Sequence, residues 1–125
     1  MLVSLERNGR FHAVNMVPTS CKCAAMRTKN YDYFVRINAT DERLTREGFV
    51  MNNEEIQTYF DARFGKLAPT WKGISCERMA LTAAKELCAR LLAESIALHS
   101  VIVRIKGSNG AWIEATCTKG DVNLT

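Results

Sequence analysis

The segment Cys21-Lys22-Cys23-Ala24-Ala25-Met26-Arg27-Thr28-Lys29-Asn30-Tyr31 places two thiols and three cations just ahead of an aromatic run. Such a stretch could act as a metal clip, a redox pair, an anion-binding loop or the seat of a nucleophile. A zinc clip needs ligands paired as CxxC or CxxH. Here CxC stands alone, and the two histidines, His12 and His99, lack metal spacing to it. No metal and no other cofactor is therefore expected. The CxC spacing is strained for a redox pair, and no thioredoxin-like pattern surrounds it. Cys23 as a nucleophile would need its thiolate favoured, which Lys22, Arg27 and Lys29 could do. Arg27 and Lys29 could equally hold a carboxylate or a phosphate. Further along, Glu77 stands where a helix begins and Lys106 where a strand ends beside a glycine-rich turn. The bland alternatives are a helix-dipole partner for Glu77 and a solvated strand end for Lys106. Trp71 and Trp112 offer stacking surfaces for a flat ligand or a neighbouring subunit, although core packing is the commoner use.

The elements that must position these residues follow from hydrophobic period. The opening LVSLERNGRFHAVNMV is β-prone on both sides of Asn8-Gly9, a dipeptide that predicts a hairpin turn, so the chain begins as a hairpin or as long paired strands. In NYDYFVRINA, Tyr31, Tyr33, Val35 and Ile37 alternate with Asp32, Phe34, Arg36 and Asn38, the period of a half-buried strand. NNEEIQTYFDARF predicts a helix with Asn52 as its cap, Glu55 completing a capping box and Gly65 as its stop. Its apolar stripe is Ile56, Tyr59, Phe60 and Phe64. A second helix is predicted in SCERMALTAAKELCARLLAESIAL, with Met79, Ala80, Ala83, Ala84, Leu87, Cys88 and Leu91 on one face. SVIVRIK and AWIEATCT form a closing hairpin around Gly107-Ser108-Asn109-Gly110. The expected fold is α+β, a four-stranded antiparallel sheet with two helices on one face, in the order ββααββ.

At 125 residues the chain makes one domain with a core of its own, and 47% hydrophobic residues with a net charge of +4 is ordinary for a globular protein. No apolar run reaches membrane-spanning length. The charged N-terminal segment MLVSLERNGR does not suit a signal peptide, so a cytoplasmic location is expected. Five cysteines without a secretory signal are expected as free thiols. The basic residues do not cluster with aromatics in any known recognition motif, so nucleic acid is not an expected partner.

The ββααββ order, together with local residues, resembles the tunnelling-fold proteins that act on pterins and purines, in particular the 6-pyruvoyl- and 6-carboxy-tetrahydropterin synthases. The carrying residues are Phe11-His12-Ala13-Val14-Asn15, Cys23 followed at three residues by Arg27-Thr28-Lys29 and Asn30-Tyr31, Gly48-Phe49-Val50-Met51-Asn52, and Ser75-Cys76-Glu77. The resemblance spans about residues 10 to 115. It implies an oligomer with a heterocycle bound between subunits. The family's zinc-binding histidines would fall at Asn15, Arg27 and Lys29, the segment from 64 to 74 lacks the family's Asp-His pair, and Ile105 replaces its pterin-holding glutamate. Only Cys23 remains, at the nucleophile position, so the resemblance implies a relative without zinc chemistry. Dihydroneopterin aldolase, of the same fold and metal-free, is similar at Glu77, which would hold the ring, and at Lys106, although Gly107 stands where that family has proline. Beside an aldolase-like lyase, which the second resemblance implies, two leading readings stay open: a metal-free heterocycle binder, with Glu77, Arg27 and Lys29 on the ligand and Cys23 or Lys106 as any reactive group, and a non-catalytic interaction protein. Both expect a homo-oligomer, and whether the protein is an enzyme is left undecided.

Overall fold

The computed structural model describes residues 2–14, 28–40, 53–71, 74–94, 98–106 and 110–123. It is an α+β fold. Strands β1 (Val3–Val14) and β2 (Thr28–Ala39) come first, followed by helices α1 (Asn53–Leu67) and α2 (Cys76–Glu94). Strands β3 (Leu98–Lys106) and β4 (Trp112–Thr118) follow, and a short helix α3 (Lys119–Asn123) closes the chain. The sheet is antiparallel in the order β1-β2-β3-β4.

The first two strands pair without interruption from Val3 opposite Ala39 to Val14 opposite Thr28. The expected turn at Asn8-Gly9 does not form: both residues lie in mid-strand, and among the described residues only Gly110 has a positive φ. Long-range packing overrides the local turn signal here. Gly9 faces Tyr33 across the ladder, and a Cβ on Gly9 would lie 2.6 Å from the Tyr33 ring carbons and hydroxyl. The glycine is present because the tyrosine ring lies across it. The bend between β3 and β4 is closed by Gly110 at φ 79°, a left-handed conformation that glycine adopts at no steric cost.

Alternation along β2 buries Tyr31, Tyr33, Val35 and Ile37 on one face and leaves Asp32, Phe34 and Arg36 on the other. Helix α1 covers β1, and α2 covers β3 and β4, all on the face of the buried residues. The predicted stripe of α2 is buried throughout, and Ala80, Ala83 and Ala84 let that helix lie close to the sheet. Ser75 caps α2, its Oγ accepting from the Arg78 backbone N–H at 3.2 Å. The N-terminal cap expected at Asn52 lies outside the described residues.

Helix α1 does not stop at Gly65 but runs to Leu67 and into a 3-10 turn at Ala68–Thr70 that contains Pro69. A glycine ends a helix by turning left-handed, and Gly65 does not. The extra turn carries Trp71 into the core against Phe11 and Phe64, at centroid distances of 5.3 and 6.2 Å. Trp71 therefore packs rather than stacks on a ligand. Its Nε1 is buried without a hydrogen-bond partner among the described residues. The two large helices are tied by buried Arg63, 3.6 Å from Glu86, which also accepts from Arg90 at 2.9 Å.

Helix α3 was not expected. Its start is capped by half of a capping box: the carboxylate of Asp121 accepts from the Thr118 backbone N–H at 2.8 Å and from its hydroxyl at 3.0 Å. These two bonds hold the Asp121 carboxyl below its usual range. Thr118-Lys119-Gly120-Asp121 has the spacing that announces such a start.

Two buried clusters hold acidic groups raised above their ordinary values. Burial, and then the hydrogen bond to Asp61, raise the Tyr33 phenol above its ordinary value. Burial pushes the Cys88 thiol up to about 12 and raises Cys117 as well. A thiol or phenol with a raised folded pKa contributes its full stability below its unfolded value and loses it as pH climbs to the folded one. The urea midpoint should therefore hold to about pH 9 and then fall. Each group removes up to about 1.4 kcal/mol per pH unit, that of Cys88 until about pH 12. Cys88→Ala should flatten the first part of that fall. A midpoint unchanged from neutral pH to about pH 11 would contradict the assignment.

Candidate functional site: the open face of the sheet

The face that no helix covers is ordered in rows by the register. Arg10, Asp32, Lys106 and Trp112 form one row across the four strands. The next is Asn8, Phe34, Arg104 and Glu114, and then Glu6, Arg36, Ile102 and Thr116. Cross-strand ion pairs join these rows internally. Arg10 Nε is 3.0 Å from Asp32 Oδ1, Lys106 Nζ is 3.7 Å from Asp32 Oδ2, Arg104 Nε is 2.6 Å from Glu114 Oε1, and Arg36 donates to Glu6. Such exposed pairs are each worth about 0–1 kcal/mol and do not hold the sheet together.

The aromatic rings matter more. Trp112 is 47% exposed, with Lys106 Nζ 5.3 Å from its ring. Phe34 lies between two guanidinium groups, Arg104 at 5.1 Å and Arg36 at 5.8 Å from the ring centroid. A cavity of about 300 Å³ is lined by Asn8, Gly9, Arg10, Asp32, Tyr33 and Trp112, residues from both edge strands of the sheet. The open face is therefore concave at this corner. It combines an exposed indole, a carboxylate shared by two cations, and an Arg10 side chain that is 79% exposed.

Beneath the rim, the Tyr33 hydroxyl donates to Asp61 Oδ1 at 2.5 Å and accepts from Gln57 Nε2 at 3.0 Å. Gln57 also reaches the Asn8 carbonyl at 3.0 Å. This network fastens α1 to the edge strand. At the far end of the face, Ser4 donates to Asn38, Asn38 to Ser100, and His99 Nδ1 is 3.1 Å from the Ser100 hydroxyl. His12 has Asn30 Oδ1 at 3.3 Å. A second concavity of about 430 Å³ lies between α2 and α3 beside Leu81, Lys85 and Val122. It offers apolar surface but no aromatic ring.

The residues singled out from the sequence fall in different places. Lys106 belongs to the open face, in contact with Asp32 and Trp112. Glu77 is exposed in the first turn of α2, on the helical side, so the sheet lies between it and Lys106 within one chain. Lys29 lies in β2 with its backbone opposite Ala13. Cys23 and Arg27 lie outside the described residues, as does Cys21. Cys88 and Cys117 are both buried, with Cys88 Sγ 3.7 Å from the Cys117 carbonyl oxygen. Among the described residues, no three of His, Cys, Asp and Glu converge on one point, and no helix is long and apolar enough to cross a membrane.

Sequence reasoning missed Asp32, Phe34, Arg36 and Arg104 as site residues. The alternation Asp32-Phe34-Arg36 and Arg104-Lys106 shows that each set shares a face, but only strand pairing shows that the two sets are neighbours. No protein-family model matches the chain, and no curated protein sequence matches it.

Proposed function

We propose that this protein is a metal-free member of the tunnelling-fold type that binds a flat purine- or pterin-like heterocycle on the open sheet face, with no catalytic role assigned. The observation that carries the reading is the Trp112 corner: an exposed indole lines one concavity with Asp32 and Arg10, and Lys106 contacts both the indole and Asp32. A flat ring would stack on the indole. The Asp32 carboxylate would accept from ring N–H groups, and Arg10 or Lys106 would turn to an anionic substituent. The sequential four-stranded sheet with its large helices on one face is compatible with the resemblance.

The resemblance assigns the ring to Glu77. Because the sheet separates Glu77 from the Trp112 corner in one chain, a ligand touching both would sit between two copies. Strands β1 and β4 end the sheet with outer edges unpaired among the described residues, and such edges accept a further strand. Light scattering decides this point, since a monomer excludes a shared site.

Binding is tested by calorimetry with guanosine, guanosine monophosphate and a reduced pterin on the parent protein and on the Trp112→Ala, Asp32→Asn and Glu77→Ala variants. Trp112→Ala should weaken binding about tenfold, within the range expected for a lost ring stack. Binding lost with Glu77→Ala but kept with Trp112→Ala would move the site to the helical side. Absence of binding by all three compounds would favour the interaction-protein reading.

A further inference from the structure

The open face continues past the Trp112 corner to a second ring. Phe34 stands two strands away from Trp112 and one row along. Strand spacing and rise make that separation about 12 Å. One heterocycle cannot touch both rings, whereas two bases of one chain can. Between and beside the rings stand Arg104 and Lys106, with Arg36 on the far side of Phe34 and Arg10 exposed at the rim. The geometry points to single-stranded nucleic acid as the ligand of this face, with one base on Trp112, a second on the guanidinium groups that Phe34 supports, and the linking phosphates beside Lys106. This rests on the open-face reading above and identifies its heterocycle as a base carried on a strand.

Physical chemistry favours a strand over the neighbouring alternatives. A duplex hides the faces of its bases, so rings on an open sheet serve unpaired bases. A free mononucleotide would use the Trp112 corner and leave the Phe34 group idle. The charge pattern also sets the character of the binding. The face carries Arg10, Arg36, Arg104 and Lys106 against Glu6, Asp32 and Glu114, with the carboxylates already paired. Few phosphates are neutralised in excess, so stacking carries the affinity and salt acts weakly.

The test is fluorescence anisotropy with labelled single-stranded DNA and RNA of about 15 nucleotides, against a duplex of equal length and guanosine monophosphate as competitor. The single strand should bind at least about tenfold more tightly than either. Its affinity should fall by less than about tenfold between 50 and 200 mM salt. Trp112→Ala and Phe34→Ala should each weaken it about tenfold, and Trp112→Phe should retain most of it. Both side chains lie outside the core, and unchanged thermal unfolding of the variants establishes that the fold is intact. Guanosine monophosphate binding as tightly as the strand overturns the strand assignment while leaving the heterocycle site standing. Strand binding indifferent to both ring substitutions overturns it as plain charge attraction. Self-association lost in Trp112→Ala, with no strand bound, overturns it in favour of a second copy on this face.

Discussion

Phe64→Ala should cost about 3–5 kcal/mol, enough to remove much of the stability of a domain that has about 5–15 kcal/mol in all. Phe64 is fully buried where three elements meet. Its ring stacks on Tyr33 at 4.1 Å and 14°, lies 5.3 Å from Phe11, and meets Trp71 edge-on at 6.2 Å. Phe11 in turn stacks on Tyr31 at 5.3 Å. Removing the central ring leaves a void that its neighbours cannot close. Tyr33 is held by Asp61 and Gln57, and Phe11 and Tyr31 are fixed by the β1–β2 ladder. Urea denaturation measures the loss, and Phe34→Ala is the control. That phenylalanine has arginines rather than core side chains around it, and its loss should cost about 1 kcal/mol or less. Equal costs at the two positions would mean that the aromatic cluster is not the centre of the core.

Gly9→Ala should destabilise by about 2–4 kcal/mol, although alanine ordinarily suits a strand better than glycine. The new methyl would stand 2.6 Å from the Tyr33 ring and hydroxyl. Overpacking of this kind costs about 1–3 kcal/mol. The ring cannot move aside freely, because it stacks on Phe64 and its hydroxyl is bonded to both Asp61 and Gln57. Loss of those bonds adds about 1 kcal/mol. A double-mutant cycle isolates the cause. In a Tyr33→Leu background the clash partner is gone, and Gly9→Ala should become nearly neutral or stabilise by a few tenths of a kcal/mol. If the penalty is the same in both backgrounds, the ring is not the reason for the glycine.

How much of the molecule is legible in the sequence depends on the range of each signal. The inward faces of β2 and α2 were, because periods of two and of 3.6 residues are local properties, and Tyr31 through Ile37 and Met79 through Leu91 bury the expected side chains. Asn8-Gly9 has the local chemistry of a turn and lies in mid-strand, because the ladder to β2 runs through it without interruption and the Tyr33 ring lies across the glycine. Gly65 has the chemistry of a helix stop and does not stop one, since the turn that follows delivers Trp71 to the core. The two tryptophans were indistinguishable by type: one fills the core and the other is exposed on the sheet.

By itself, then, the sequence determined the α+β class, the two large helices and the inward faces of β2 and α2, all of which follow from short-range pattern. Tertiary structure alone decided that Arg36 and Arg104 flank one phenylalanine, that Asp32 serves both Arg10 and Lys106, and that Lys106 and Glu77 lie on opposite sides of a sheet. Those neighbours are set by strand register. A shift of one residue would turn the strand side chains among them to the other face, and no local preference in the chain encodes which strand lies beside which.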